Sequence, residues 1–115
     1  MVYVMKMDRD EIPPGTLELL ILKTLARGTA MHGFAIADFI QEHSNDILHV
    51  EEGSLYPALQ RMLLKGWIEG EWSRTPENRR ARYYQLTRDG RAQWKRELDR
   101  YERVSGAIAC VLRTT

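Results

Sequence analysis

Three arginines crowd into four positions near residue 80 and form the most chemically distinctive group in the chain. Arg79, Arg80 and Arg82 follow Asn78, and Arg74 stands a few residues earlier. A guanidinium is charged at neutral pH and offers a planar fork of N–H donors that matches phosphate oxygens. The cluster therefore indicates a surface that lies on nucleic-acid phosphates or enters a minor groove. The alternative is a solvated turn.

A second group of side chains, which we call the polar set, precedes the arginine cluster. Its hydroxyl, amide and guanidinium groups suit contacts with base edges and phosphates in a major groove. For Tyr56 the alternative is packing beside Leu59, and His32 at a helix start could touch phosphate, cap the helix or face solvent. The polar set consists of Ser54, Tyr56, Pro57, Gln60 and Arg61.

Nothing in the chain is spaced for catalysis or for holding a metal ion. No Ser-His-Asp order, glycine-rich phosphate loop or clustered carboxylate pair points to catalysis. The soft metal ligands fall on different predicted elements without a spacing such as Cys-x-x-Cys. We therefore expect a protein that is not an enzyme and that uses no cofactor and no metal. Those ligands are His32, His43, His49 and Cys110.

Length and composition limit the class of protein. The 115 residues suit one small domain, and 43% hydrophobic with 29% charged residues are typical of a globular chain. The longest apolar stretch, from Leu19 to Leu22, is far shorter than the roughly 18 residues of a membrane span. Since the N-terminus has no apolar signal core and the single Cys110 cannot form an internal disulfide, we expect a cytoplasmic protein outside the membrane.

Charge is divided unevenly along the chain. Residues 1–58 hold four basic and nine acidic residues, a net charge of −5, whereas residues 59–115 hold thirteen basic and seven acidic residues, a net charge of +6. The overall net charge of +1 conceals this division. The second half is therefore the expected phosphate-binding surface.

Two helices are predicted in the first half of the chain. Gly15 and Thr16 offer a cap for a run of apolar residues at helical spacing, which Gly28 ends. A second helical stripe begins at 31–33 and runs out at 44–46. Only a tight turn separates the two helices.

A third helix carries the polar set. It is expected to begin around Gly53 and Ser54, with Ser54 near its N-cap, and to stop at Gly66. Pro57 then falls in the first turn, where backbone N–H groups lack partners in any case. The polar set points outward because the opposite face is apolar, formed by Leu55, Leu59, Met62 and Leu63.

A β-hairpin follows the third helix. After Gly66 the pattern changes from a helical period to a period of two, at residues 68, 70 and 72, and residues 81–86 are rich in β-formers. The polar residues 73–80 form the turn. The arginine cluster therefore lies at the tip and on the return strand.

The last predicted helix is too long for the domain to bury. Thr87 is its expected N-cap and Leu112 its approximate end, a length of roughly 38 Å at 1.5 Å per residue. Its apolar positions alternate in steps of four and three, which is typical of a coiled-coil seam, and a second copy of the helix is the expected partner. The predicted seam consists of Trp94, Leu98, Tyr101, Ser105, Ile108 and Leu112.

In this order the elements predict a mostly α fold with a small β-hairpin. Three helices and a hairpin form a winged helix-turn-helix at 15–87, and a long C-terminal dimerisation helix occupies 88–115. Residues 1–14 form an N-terminal extension.

Several segments resemble the PadR-like transcriptional regulators, especially the compact subgroup with a single C-terminal helix. The resemblance covers roughly residues 15–112 and includes the starts of the first two helices, at 15–22 and 31–36. Two longer motifs make it specific. They are Gly53-Ser54-Leu55-Tyr56-Pro57-Ala58-Leu59 in the third helix and Arg79-Arg80-Ala81-Arg82-Tyr83-Tyr84-Gln85-Leu86-Thr87 in the wing.

The resemblance implies a homodimer that represses transcription from a near-palindromic operator in double-stranded DNA and is released by an effector or stress signal. Some compact members bind flat aromatic compounds between paired final helices. Trp94 and Tyr101 are therefore candidate effector residues, and packing within the seam is their alternative role.

Two features depart from the family pattern. Phe34 stands where many members have tyrosine, so a phosphate contact through that hydroxyl is not expected. The chain also stops soon after one C-terminal helix, and we expect the dimer to rest on this helix with a further contribution from residues 1–14.

Two other function classes stay open. A winged-helix module could bind a partner protein through its third or last helix, and a poorly basic wing would favour that use. A ligand-carrying or metal-sensing protein could bind DNA only secondarily. The operator, the effector and the regulated genes are not determined by the sequence.

Overall fold

The computed structural model describes residues 10–13 and 15–115. Any part that residues 1–9 and Pro14 play in the predicted extension lies outside the described residues. The predicted order of helices, hairpin and long final helix is confirmed. The elements are β1 (Asp10–Glu11), α1 (Leu17–Ala26), β2 (Met31–His32), α2 (Gly33–His43), β3 (Leu48–His49), α3 (Glu52–Leu64), β4 (Ile68–Arg74), β5 (Arg80–Leu86) and α4 (Arg88–Leu112).

The first three helices turn their apolar faces into one core. Gly28, at a φ of +95°, ends α1, and Asn45 and Asp46, at φ values of +56° and +65°, follow the end of α2, so both predicted helix ends are confirmed. Left-handed backbone suits glycine, asparagine and aspartate better than other residues. The largest fully buried apolar side chains are Ile21, Leu22, Leu25, Ile36, Leu55, Leu59 and Met62.

Helix α3 begins earlier than the sequence pattern predicts. Its N-cap is Glu51, whose carbonyl oxygen accepts from the backbone N–H groups of Ser54 (3.0 Å) and Leu55 (2.9 Å). Ser54 is therefore inside the first turn rather than near the N-cap, and Pro57 lies in the second turn rather than the first. The helix tolerates this proline although its ring nitrogen cannot donate to the carbonyl one turn earlier, at Gly53.

The wing contains one strand more than the predicted hairpin. Strands β4 and β5 pair antiparallel from Ile68 opposite Leu86 to Arg74 opposite Arg80, and β2 pairs antiparallel with the other edge of β5. Two residues of β2 are too few for a period of two to be visible in the sequence. The wing is thereby attached to the segment that leads into α2.

A second, smaller sheet also escaped prediction. Strand β1 pairs in parallel with β3, with Asp10 opposite Leu48 and Glu11 opposite His49. The following residue, Ile12, packs against the core. This pairing joins the start of the described chain to the segment that precedes α3.

Helix α4 is anchored at its start to the segment between α3 and β4. The Thr87 hydroxyl accepts from the Gly90 N–H (3.0 Å) and donates to the Gly66 carbonyl (2.6 Å), so the predicted N-cap is confirmed. From there α4 runs along α1, and Trp94 packs against the core. None of the helices in the described part of the chain is both long and apolar enough to span a membrane.

Candidate nucleic-acid interface

An open groove of about 760 Å³ separates α3 from the wing. Its walls come from the start of α2, the exposed side of α3, both long strands of the wing and the turn between them. The structure thus brings two of the five residues of the polar set and all three of the clustered arginines to one space. The residues from these two groups that line the groove are Tyr56, Gln60, Arg79, Arg80 and Arg82.

Tyr56 and Gln60 form the α3 wall of the groove. Tyr56 is 45% exposed, so it is not the core residue that the packing alternative requires. Its ring lies against the start of α2, because a Cβ built at Gly33 would stand 2.9 Å from the Tyr56 hydroxyl. Gln60 follows one turn later and is exposed. Both side chains face the wing.

Ser54 and Arg61 lie on the other side of α3. With 3.6 residues per turn, Tyr56 and Arg61 are about 140° apart around the helix axis. Arg61 Nε is 3.8 Å from Glu18 Oε1 of α1, and Lys65 Nζ is 4.0 Å from the same oxygen. Ser54 lines a separate small cavity beside Ile12. The structure therefore divides the polar set between two faces, with the exposed Pro57 between them.

The tip of the wing uses two predicted contact residues to build its own turn. Arg74 Nη1 donates to the Asn78 carbonyl (3.2 Å), and Asn78 adopts a φ of +64°. The backbone N–H of Arg79 donates to the Thr75 hydroxyl (3.1 Å), and Arg79 itself is exposed. Arg74 and Asn78 thus shape the turn, and Arg79 projects from it.

Arg80 and Trp72 form a stacked pair on the face of the wing that looks into the groove. The Arg80 guanidinium carbon is 4.5 Å from the centre of the Trp72 ring, a cation–π contact. Trp72 is 56% exposed and Phe34, on the opposite wall, is 71% exposed. The sequence did not indicate that Trp72 belongs to the site, because its strand position is compatible with a core residue.

Arg82 lies deeper in the groove. Its guanidinium crosses β4 above Gly70, and its Nε is buried without a hydrogen-bond partner in the described structure. The neighbouring Tyr84 belongs to the core. Burial raises the pKa of Tyr84, the Arg82 charge lowers it to a smaller extent, and Tyr56 raises it further. The phenol of Tyr84 therefore stays protonated at neutral pH.

His32 has a structural contact of its own. Its Nδ1 accepts from the Ala35 N–H (3.2 Å) and caps α2, and its ring meets the Tyr83 ring edge-on at 5.2 Å. His32 also lines the groove. Among the described residues, no three His, Cys, Asp or Glu side chains are grouped so that they could share a metal ion.

The sequence profile of the transcriptional regulator PadR-like family matches residues 21–96, which include α2, α3, the whole wing and parts of α1 and α4. The chain belongs to the PadR-like family of transcriptional regulators.

Solved structures of PadR-like proteins share its fold. A PadR-like transcriptional regulator from Bacillus cereus is 27% identical, with 88% of this chain and 95% of that chain covered and a TM-score of 0.73. A PadR family transcription regulator from Clostridium difficile is 26% identical, with 85% and 99% covered and a TM-score of 0.73. PadR from Bacillus subtilis, solved in complex with operator DNA, is 22% identical, with 75% of this chain and 48% of that chain covered and a TM-score of 0.64.

The predicted seam of this PadR-like chain meets two different environments along α4. Trp94 packs against the core of its own chain, and the Lys23 ammonium is 5.8 Å from its ring centre. Leu98 and Ser105 are half-buried, whereas Tyr101, Ile108 and Leu112 are exposed. Val104 and Val111, which the seam omits, are also exposed. The assignment of the six seam residues to a dimer interface stays a prediction.

Proposed function

We propose that this chain is a DNA-binding transcriptional repressor that acts as a homodimer on a near-palindromic operator and is released by an effector. The observation that carries DNA binding is the groove between α3 and the wing, which gathers Tyr56, Gln60 and three arginines around one space. Membership of the PadR-like family supports the regulatory role, and the complex of the Bacillus subtilis relative with operator DNA supports the ligand.

The wing supplies affinity in this proposal. Arg79 and Arg80 carry charge on an exposed turn and strand, where phosphates can approach. Contacts of this kind are insensitive to base sequence and weaken as salt concentration rises.

Helix α3 supplies specificity. Gln60 is exposed on the wall that faces the wing, and an amide can pair with two groups on an adenine edge in the major groove. In a dimer the two α3 helices would enter successive major grooves about 34 Å apart. A near-palindromic operator follows from the two-fold symmetry of such a dimer.

The second half of α4 supports the homodimer. Tyr101, Val104, Ile108 and Val111 are exposed apolar residues at spacings of three, four and three, the pattern with which two helices interlock. A charged helix surface would give no such stripe. We propose that the dimer forms around these four residues together with the predicted Leu112.

The effector site is proposed near Tyr101. A small cavity of about 220 Å³ lies between the start of α1 and α4, lined by Leu19, Tyr101 and Val104 among others. A second α4 helix would close over it. Trp94, the other candidate, packs against the core of its own chain. We therefore expect its fluorescence to change little when an aromatic effector binds near Tyr101. A regulator of transcription acts where DNA lies, so we propose a cytoplasmic location.

Selection of bound fragments from random DNA by the purified protein tests DNA binding and symmetry together. Recovery of an inverted repeat with half-sites about one helical turn apart is the expected result. Recovery of no enriched sequence, combined with binding of a partner protein through α3 or α4, would favour the protein-interaction module instead. Saturable binding of a metal or small ligand without DNA binding would favour the sensor alternative.

Two kinds of variants separate affinity from specificity. Arg79→Ala and Arg80→Ala should each weaken binding to the operator and to scrambled DNA by similar factors, and lower the slope of log affinity against log salt by about one. Gln60→Ala should cost about 1 to 3 kcal/mol on the operator and little on scrambled DNA. Arg113→Ala, which removes an equal charge at the far end of α4, is the matched control. Equal loss in the control would mean that only net charge matters.

A further inference from the structure

Exposed aromatic rings line both walls of the groove between α3 and the wing. Phe34, at the start of α2, is 71% exposed, and Trp72, on the wing, is 56% exposed. Tyr56 belongs to the same wall as Phe34, since the two side chains also line a second, smaller cavity together. Exposed apolar surface of this kind usually marks a groove that binds a ligand or a partner.

Positive charge lies beside these rings. The Arg80 guanidinium carbon is 4.5 Å from the centre of the Trp72 ring, and both Arg79 and Arg80 are exposed. Three arginines line the groove, against the single acidic residue Glu77. An anionic group is therefore attracted to this space, whereas a cation is repelled from it.

A DNA duplex cannot use the flat faces of the rings. In a duplex each base is stacked between its neighbours, so its face reaches a protein side chain only after the base has been flipped out at a cost in stacking and pairing. Phe34 and Trp72 can then touch only sugar carbons and base edges. A free planar molecule meets no such obstacle and can stack directly on either ring.

The size and lining of the groove suit a nucleotide. The volume of about 760 Å³ falls within the range of roughly 300 to 1,000 Å³ that is typical of small-ligand sites. A ligand with one small ring would leave most of this space to water. Gln60 is exposed on the α3 wall, and its amide can both donate to and accept from the edge of a base. The groove thus offers rings for a base, an amide for the base edge and arginines for a phosphate.

We propose that the groove binds a free purine nucleotide, with its base against Phe34 and Trp72 and its phosphate on Arg79 and Arg80, and that the bound nucleotide excludes DNA. The same arginines and Gln60 are assigned above to DNA, so the two ligands compete directly. An effector near Tyr101 would instead act at a distance. The competition rests on the proposed DNA binding, whereas the binding of the nucleotide does not.

Calorimetric titration of the DNA-free protein with guanosine monophosphate tests the rings. We expect one saturable site per chain, and Phe34→Ala and Trp72→Ala should each weaken binding at least about fivefold, because a base loses a ring on which it stacks. Leu64→Ala is the matched control, since Leu64 is 88% exposed on α3 and does not line the groove. An equal loss in the control would remove the ligand from the groove.

The phosphate contact is tested with ligands that lack one part of the nucleotide. Arg80→Gln should weaken binding of guanosine monophosphate about tenfold, because a charge-assisted hydrogen bond is lost. It should have a much smaller effect on the weaker binding of uncharged guanosine. Arg113→Gln, at the far end of α4, is the matched control. Equal losses for the two ligands, or saturable binding of inorganic phosphate alone, would overturn the proposed contacts.

A third ligand separates a nucleotide from other aromatic anions. Naphthalene-2-carboxylate is planar and negatively charged but has no ribose and no purine edge, so we expect it to bind more weakly than guanosine monophosphate. Tighter binding would overturn the assignment to a nucleotide. Loss of guanosine monophosphate binding in Tyr101→Ala, with normal binding in Phe34→Ala, would move the site to the cavity beside α4.

Competition is measured by adding guanosine monophosphate to the complex with a DNA fragment. The apparent Kd for DNA should rise in proportion to the nucleotide concentration without a plateau, and should rise less in Phe34→Ala. A plateau would show that both ligands bind together and would overturn the exclusion. If the wild type binds the nucleotide through these residues and binds no DNA, only the proposed function fails. If it binds DNA and no nucleotide, only this inference fails.

Discussion

Both halves of α4 carry apolar residues at predicted seam positions, and the two halves have opposite surroundings. In the first half Gly90 is buried against the backbone of Trp67, and Trp94 packs on the core of the same chain. In the second half Ile108 is 55% exposed and Leu112 is 78% exposed. One helix thus passes from the interior of the domain into solvent while its sequence remains apolar at regular positions.

A regular apolar pattern on a helix therefore does not by itself show whether that face packs within its own chain or against a partner. The first half of α4 is covered by α1 and the wing, and the second half extends beyond them because a helix of 25 residues is longer than the domain beneath it. Exposed apolar stripes of this kind usually mark an interaction surface. Stability within the chain and association between chains should therefore respond to mutations in different halves.

The largest effect is expected from Gly90→Ala. A Cβ at this position would stand 1.9 Å from the carbonyl oxygen of Trp67, and this atom belongs to the backbone, so α4 must shift away from the segment between α3 and β4. We expect unfolding free energy to fall by about 3 kcal/mol or more, measured by urea denaturation. A variant as stable as the wild type would show that α4 is not anchored at its first turn.

Ile108→Asp should act on association and leave the fold intact. Burying a charge in the proposed seam should weaken the dimer at least about 100-fold, so that sedimentation at micromolar concentration gives the monomer mass. The far-ultraviolet circular dichroism spectrum should keep its helical signal. Leu98→Asp, at the half-buried middle of the predicted seam, is the companion variant. An unchanged dimer in both would remove α4 from the interface.

Trp94→Ala should lower the stability of the fold and leave the association of the two chains unchanged. Because this ring is only partly buried, its loss should lower the free energy of unfolding by about 2 kcal/mol, less than a fully buried tryptophan would. The sedimenting mass should not change. A loss of the dimer without a loss of stability would contradict the contrast between the halves and restore Trp94 to the interface that the sequence predicts.

The smallest effect is expected from Gly106→Ala, the counterpart of Gly90→Ala in the second half. Nothing lies within 4 Å of the added Cβ, and alanine favours the helix more than glycine does, so the free energy of unfolding should rise by about 0.5 to 1 kcal/mol. Thermal denaturation measures the difference. A destabilised variant would mean that a partner helix approaches closely at this position.

Elements with strong local signals were predictable. Gly28, the Ser44-Asn45-Asp46 run and Thr87 mark helix ends by their backbone and capping preferences, and the structure confirms all three. The start of α3 was predicted wrongly because Pro57 was assigned to a first turn, whereas backbone hydrogen bonds to Glu51 start the helix earlier. The two-residue strands β1, β2 and β3 carry no periodic signal at all.

The candidate site was predictable in its membership and only partly in its arrangement. The arginine cluster and Tyr56 were recognisable from residue type and motif. The separation of Arg61 from Tyr56, and the pairing of Arg61 with Glu18, depend on how α1 packs against α3. Gly70 and Trp72 join the site through strand pairing, which sets them opposite Tyr84 and Arg82.

The sequence alone determined the order of the elements, the basic second half and the family, because capping residues, periodicity and motifs act over short stretches of chain. Tertiary structure alone decided which side of α3 faces the wing, which arginine lies deep in the groove and where α4 leaves the core. Those features depend on contacts between residues far apart in the chain. Such contacts are fixed by packing, to which each residue contributes only together with its neighbours.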